Sequence, residues 1–232
     1  RCAKSIIAVS DATASELRSV LPPRLHQRMS VIGEGVTALP PHQCSGEACA
    51  IGKNVPYVVT IGSTYPHKRL GLVYESVRDL RAKGMKLAWV HVGPEEPLSR
   101  TFFAGIMAQE HDSSWIRPVG FQTDEQLSAW YEHTLAFVYP TAHEGFGLPV
   151  LEALGCGTRV ITTPVPSLDQ LEPNSAGTLV VLKNPETIVD DLKDVLREWY
   201  DQGAQEHSRP THKLGLWQGI GKQTLQLYRQ TI

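Results

Sequence analysis

Glu144 and Glu152, with seven residues between them, are the carboxylates in this sequence whose surroundings favour chemistry. They bracket Gly145-Phe146-Gly147-Leu148-Pro149, which follows an apolar strand ending at Pro140 and leads into a helix with Pro149 at its start. Glycines let the backbone adopt positive φ and come close to a ligand. The free N–H groups of a helix start, with the dipole behind them, favour an anion. The backbone around Phe146, Gly147 and Leu148 is therefore a candidate phosphate cradle. Glu144 would stand in the loop and Glu152 about one turn into the helix, both on the border of one cleft. The plainer alternative is a tight glycine turn with Glu152 complementing the helix dipole.

A second stretch, Gly62-Ser63-Thr64-Tyr65-Pro66-His67-Lys68-Arg69, also lies between a strand and a helix. Lys68 and Arg69 sit at the beginning of that helix, where each cation opposes the dipole by roughly 0.3–1 kcal/mol. A bound anion would compensate them; two bases on a solvated face are the alternative. Val119-Gly120-Phe121-Gln122-Thr123-Asp124 ends another strand on the same expected rim. The nine histidines show no ligand spacing, and His67 and His143 stand out only for the loops they occupy. No metal site is expected.

These loops need elements to hold them. Apolar β-branched runs alternate with helical patterns along the chain. Strands are expected at 5–10, 31–32, 57–62, 87–92, 116–121, 135–139, 159–163 and 178–182. Helices are expected from the capping pair Thr13 and Glu16 to the stop at Pro22-Pro23, with Leu17, Val20 and Leu21 on one face. Others are expected over 70–83, around 102–109, from the capping pair Thr123 and Gln126 through Trp130, near 149–155, from Asn184 and Pro185 to Tyr200, and over 217–228. Residues 37–54 read as a linker or long loop, and 202–213 as a polar interruption. Short strand–helix alternation with continuously apolar strands means parallel strands covered on both faces. The expected fold is an α/β, Rossmann-like, doubly wound parallel sheet from about Val55 onward, with ligands at the carboxyl ends of its strands.

Composition narrows the classes. The chain has 232 residues, enough for one large domain, or one domain plus part of another. A 41% hydrophobic and 20% charged composition excludes wholesale disorder. With 24 acids against 22 bases the formal net charge is −2, which gives no electrostatic case for a nucleic-acid partner. Apolar runs fall far short of the ~20 residues that span a bilayer. Cys2, Cys44, Cys49 and Cys156 form no disulfide framework or zinc pattern and suit a reducing cytosol. The first residue is Arg1, and the expectation is an excised or processed piece of a longer protein.

The ordered motifs resemble a known family. Glu144 to Glu152 is similar to the E-x7-E motif of retaining family 4 glycosyltransferases of the GT-B fold. Gly62 to Lys68 resembles their diphosphate-binding strand-loop, and Val119-Gly120-Phe121 with Asp124 to Leu127 their next nucleotide-proximal segment. Residues 152–161 resemble the stretch after the second glutamate, and Trp217 to Tyr228 the closing helix. The resemblance implies two Rossmann-like domains facing a cleft. Residues 1–36 would be the last strand and helix of the N-terminal acceptor domain, 37–54 a linker, and 55–232 the donor-binding domain. The remainder of the acceptor domain would be missing from this chain.

The resemblance further implies that Lys68 binds the donor diphosphate, Glu152 holds the ribose hydroxyls and Glu144 faces the transferred sugar. The amides of Gly145, Phe146, Gly147 and Leu148 would hold sugar and phosphate oxygens. Phe121 would border the base, and Gly62 and Ser63 would line the diphosphate. The family often has Arg where this chain has Ser63; Arg69 is the available substitute. The implied partners are a nucleotide-diphosphate sugar, GDP-mannose or a UDP-sugar foremost, and a sugar or glycan acceptor. No cofactor is implied. The implied setting is polysaccharide biosynthesis in the cytoplasm, with any peripheral membrane attachment through the missing domain. Leaving-group charge would be met by Lys68 and the loop amides. An isolated chain of this extent is expected to transfer no sugar.

Three other functions fit some of these residues. A glycoside hydrolase would use Glu144 and Glu152 as a pair ~5–5.5 Å or ~6.5–9.5 Å apart, but leaves the cationic loop without a role. A non-catalytic nucleotide-binding module and a sugar-nucleotide epimerase share the architecture, and fold alone does not separate them.

Overall fold

The central strands of this protein are short, mostly apolar and packed on both faces, and the alternation of their side chains divides the interior in two. The computed structural model describes residues 3–41, 47–171, 178–203 and 217–231. An N-terminal unit comprises β1 (Ile6–Ala8), α1 (Asp11–Val20), α2 (Pro23–His26) and β2 (Met29–Val31), with β1 and β2 paired in parallel. Then come α3 (Glu47–Asn54), β3 (Tyr57–Ile61), α4 (Leu70–Ala82), β4 (Ala88–Val92), α5 (Pro97–Met107) and β5 (Ile116–Pro118). The second half has α6 (Asp124–His133), β6 (Ala136–Tyr139), α7 (Leu148–Gly155), β7 (Val160–Thr162), β8 (Leu179–Val181), α8 (Ile188–Asp201) and α9 (Trp217–Thr231).

β3 to β8 form one parallel sheet in the order β5-β4-β3-β6-β7-β8. Val58, Trp89, Val138 and Ile161 face a core closed by α4, α5 and α8. Their neighbours Val59, Val90, Phe137 and Val160 face a second core closed by α3, α6 and α7. Period-two alternation thus persists inside strands whose composition is mostly apolar. The chain starts at β3, builds outward through β4 and β5, then returns to add β6 on the other side. The crevice at the carboxyl ends of β3 and β6 is the topological switch point, where such sheets bind ligands.

Several local expectations are corrected. Helix α1 is capped three residues before the expected pair: Ser10 is the N-cap, its hydroxyl accepting the Thr13 N–H at 3.0 Å. The expected apolar face of Leu17, Val20 and Leu21 is not a core face, since only Ala14 of α1 is buried and Val20 is 75% exposed. The stretch 37–54, expected as linker or loop, ends in helix α3, which packs against α6 and buries Ala48 and Ile51. Its Gly46 and Gly52 masked a pattern with few large apolar residues. Asn184 caps a turn rather than a helix: its Oδ1 accepts the Glu186 N–H at 3.0 Å, and α8 begins at Ile188. The Thr123–Gln126 capping box of α6 is present as expected. Cys2, Cys44 and residues 204–213 lie outside the described residues.

Candidate active site at the sheet switch point

The β3 and β6 loops are stitched together across the crevice. The His67 carbonyl accepts the Ala142 N–H at 2.6 Å and the Thr141 hydroxyl at 3.2 Å. Beneath them the Gly62 N–H donates to the Val92 carbonyl at 2.9 Å. The next loop presses so closely on this point that a Cβ on Gly93 would lie 2.0 Å from the Gly62 carbonyl oxygen, so only glycine fits. After β3, a short 3₁₀ turn over Pro66–Lys68 ends at Arg69, the N-cap of α4, in the left-handed region with φ 49°. Among the described residues it is the single non-glycine with positive φ. Such a conformation costs about 1–2 kcal/mol, and here it directly follows Lys68.

Lys68 turns into the crevice and meets Glu144 from the β6 loop. Its Nζ lies 2.6 Å from Glu144 Oε2 and 2.7 Å from Tyr139 Oη. Tyr139 also donates to Glu144 Oε2, and Lys68 Nζ stands 4.8 Å from the centre of the Tyr139 ring. Burial pushes the Glu144 carboxyl up, but the hydrogen bonds from Lys68 and Tyr139 and the ammonium charge outweigh it and hold the carboxyl below its ordinary value. The Tyr139 phenol is driven up by burial and by its carboxylate partner and stays neutral. Glu34, from the N-terminal segment, is raised by burial and then by the Glu144 charge.

Glu152 occupies the same rim in a different environment. Its Oε2 accepts from Tyr131 Oη at 3.4 Å, and the Tyr131 hydroxyl also reaches the Pro149 carbonyl at 3.2 Å. Burial raises the Glu152 carboxyl, the Tyr131 hydrogen bond opposes this, and Asp124 adds to it. The two glutamates, with seven residues between them, are thus tuned in opposite directions by their surroundings.

The loop between them presents backbone. The Gly145 N–H turns back to Glu144 Oε1 at 3.2 Å. Among the described residues the N–H groups of Phe146, Gly147 and Leu148 find no acceptor, and α7 has no side-chain cap at Gly147. The Phe146 ring is buried with Val36 and Leu151, so its side chain takes no part in the crevice. Phe121 is the opposite, with a ring 85% exposed at the end of the β5 segment. Gln122 fixes that loop, donating to the Val119 carbonyl at 2.8 Å and accepting from Trp130 at 3.0 Å. Ser63 and Arg69 are half-buried at the rim and make no hydrogen bond or ion pair through their side chains among the described residues. Lys68, Glu144 and the loop amides therefore come together, Glu152 borders them with Tyr131, and Phe121 stands apart on the outer rim.

A family model described as glycosyl transferases group 1 matches residues 47–209. The chain belongs to this family. Among curated group 1 relatives, O-antigen chain mannosyltransferase B of Escherichia coli is 32% identical over 119 residues, covering 50% of this chain and 30% of the relative. The serotype-specific mannosyltransferase WbdA of Escherichia coli is 41% identical over 95 residues, covering 41% of this chain and 11% of the relative. The chain thus spans less than a third of the length of either. Among solved structures, sucrose-phosphate synthase from Thermosynechococcus elongatus superposes on 99% of this chain and 58% of its own, with TM-score 0.72 and 23% identity. Alr3699/HepE of Anabaena, solved with UDP and glucose, superposes on 98% of this chain and 63% of its own, with TM-score 0.73 and 14% identity. At these identities the likeness is one of fold, the Rossmann-like α/β fold of GT-B glycosyltransferases. Among the described residues no helix is long and apolar enough to cross a membrane, and no three His, Cys, Asp or Glu side chains gather as metal ligands.

Sequence reasoning missed Tyr139, Tyr131 and Glu34. Both tyrosines read as strand or helix filler. Their one available signal is chemical: a buried tyrosine hydroxyl needs a polar partner, and for Tyr139 the carboxylate of Glu144 lies five residues on, whereas Glu152 is 21 residues from Tyr131. Glu34 had no signal, because its nearness to Glu144 depends on how the N-terminal segment docks.

Proposed function

We propose that this chain is the donor-binding part of a retaining hexosyltransferase that moves a sugar from a nucleotide-diphosphate donor to a sugar or glycan acceptor. The observation that carries the reading is the pairing of Lys68 with Glu144, in the loop that leads to a helix start where the N–H groups of Phe146, Gly147 and Leu148 have no acceptor among the described residues. An ammonium beside aimed amides suits the developing charge of a departing nucleoside diphosphate. Lys68 would exchange part of its contact with Glu144 for the donor phosphates, leaving Glu144 held by Tyr139 and turned to the sugar. Glu152 would take the ribose hydroxyls, Phe121 the face of the base, and Gly62, Ser63 and Arg69 the outer diphosphate. Mannose is the first candidate sugar, on the names of the two Escherichia coli relatives, which puts GDP-mannose ahead of a UDP-sugar. Residues 1–36 are read as the end of an acceptor domain, without the rest of which this chain transfers no sugar.

Calorimetric titration of the chain with GDP, UDP and ADP and the matching monophosphates tests this. The expected result is a preference for diphosphates with one base favoured. Equal affinity for mono- and diphosphates, or no binding by any of the six, overturns the reading.

A further inference from the structure

The three N–H groups of the β6–α7 loop that have no acceptor among the described residues belong to peptide units whose carbonyls are all tied down. The Gly145 carbonyl accepts the Ser10 hydroxyl at 2.8 Å and the Thr13 hydroxyl at 3.1 Å. The Phe146 carbonyl accepts the Ser167 N–H at 2.8 Å. The Gly147 carbonyl accepts the Ser167 hydroxyl at 3.1 Å and the Val150 N–H at 3.1 Å. A trans peptide is planar, so its C=O and N–H point in opposite directions. Fixing these three oxygens therefore aims the N–H groups of Phe146, Gly147 and Leu148 away from the tethers. Gly145 and Gly147 flank these units, and glycine puts little steric barrier in the way of a peptide flip. Without tethers the direction of the amides would be left open.

The tethers come from outside the loop. Ser10 and Thr13 open helix α1, and Ser10 is itself nearly buried while also capping that helix. Ser167 is fully buried in the turn after β7. An apolar contact reinforces the first attachment, with Val9 and Val36 of the N-terminal segment packed around Phe146. Donors from two distant segments thus converge on the carbonyls of one short loop.

We infer that Ser10, Thr13 and Ser167 are positioning residues that set the direction of an amide cradle for phosphoryl or hydroxyl oxygens of the donor. This rests on the donor-site reading above. None of the three touches the ligand; each acts through a carbonyl on the far side of a peptide. The N-terminal segment therefore shapes the donor site directly, through Gly145.

The test follows the amide resonances of Phe146, Gly147 and Leu148 in the isotope-labelled chain during addition of GDP, UDP or inorganic pyrophosphate. All three resonances are expected to move in the unaltered protein. The double variant Ser10→Ala/Thr13→Val removes both donors to Gly145 and is expected to weaken binding about five- to tenfold, the range of a lost hydrogen bond or two. Its Phe146 response should vanish while that of Leu148 persists. Ser10→Ala/Thr13→Ser lacks the helix cap equally but returns one hydroxyl, and should recover affinity and the Phe146 response. Ser167→Ala should reverse the pattern, losing the Leu148 response and keeping that of Phe146. Residue-selective loss with rescue supports the inference, because a general weakening of the fold would change all three responses together. Unchanged affinity and responses in the double variant, or equal changes at all three amides, overturn it. Pyrophosphate separates the two proposals: responses to it alone, with no binding of GDP or UDP, sink the nucleotide donor reading and keep the cradle. No response to any of the three probes overturns the cradle.

Discussion

Helices α6 and α7 both begin at the carboxyl end of the same sheet, and their first turns are finished in opposite ways. At α6 the Thr123 hydroxyl accepts the Gln126 N–H at 3.3 Å, and the Gln126 side chain accepts the Thr123 N–H at 2.9 Å. That helix start is closed by its own residues. At α7 the N-cap is Gly147, with φ 101° and no side chain to offer, and the first amides stay open. The hydrogen bonds that could have closed the turn are spent behind it, on the carbonyls. A helix start uncapped by its own sequence has open amides that suit an anion. The same rim thus holds one helix start closed by its own residues and one left open, which the proposed function assigns to the donor.

Variants can break that contrast. Lys68→Ala should have the largest effect, lowering affinity for the favoured nucleoside diphosphate about 10- to 100-fold, as expected for one charge-assisted hydrogen bond. Calorimetry would show it, with circular dichroism confirming the fold. The same variant alters acid stability. In the unaltered protein the Glu144 carboxyl lies below its ordinary 4.5, so its contribution is complete above that pH and fades as pH falls through the lower folded value. Lys68→Ala should weaken that fading, because burial is then opposed by Tyr139 and the Gly145 N–H alone. Unfolding midpoints across acidic pH check the sign.

Gly147→Ala comes next. The left-handed backbone costs about 1–2 kcal/mol with a side chain, and the new Cβ would lie 3.0 Å from Ser167 Oγ and 3.1 Å from a Val165 methyl. Both the melting midpoint and nucleotide affinity should fall. Thr123→Ala is the smallest: about 1 kcal/mol of stability from the lost cap, with nucleotide affinity unchanged. If Thr123→Ala weakened binding as much as Gly147→Ala, the distinction between the two helix starts would collapse.

Much of this was legible along the chain. Strand–helix alternation, the α6 capping box and the two glycine-bearing loops are local features, and local rules read them. Misreadings occurred where long-range packing competes with local signals. Ser10 rather than Thr13 caps α1, since an extended Ser10 lets its hydroxyl serve the Thr13 N–H and a carbonyl 135 residues away together. The helix at 47–54 has few large apolar residues and carries Gly52, so it does not announce itself, and it packs Ala48 and Ile51 on the α6 side of the sheet. Asn184 shows the converse, a good capping residue spent on a turn.

By itself the sequence determined the parallel α/β sheet, the rim on which its loops gather, and the glutamates and lysine there, because apolar periodicity and glycine placement act over a few residues. Only the tertiary structure decided that Lys68 pairs directly with Glu144 and also bonds Tyr139, that Phe146 turns its ring inward and Phe121 outward, and that hydroxyls at positions 10, 13 and 167 hold the loop's carbonyls. Those choices are contacts between segments far apart in the chain, and no spacing rule reaches across a fold to foresee which carbonyl a serine will hold.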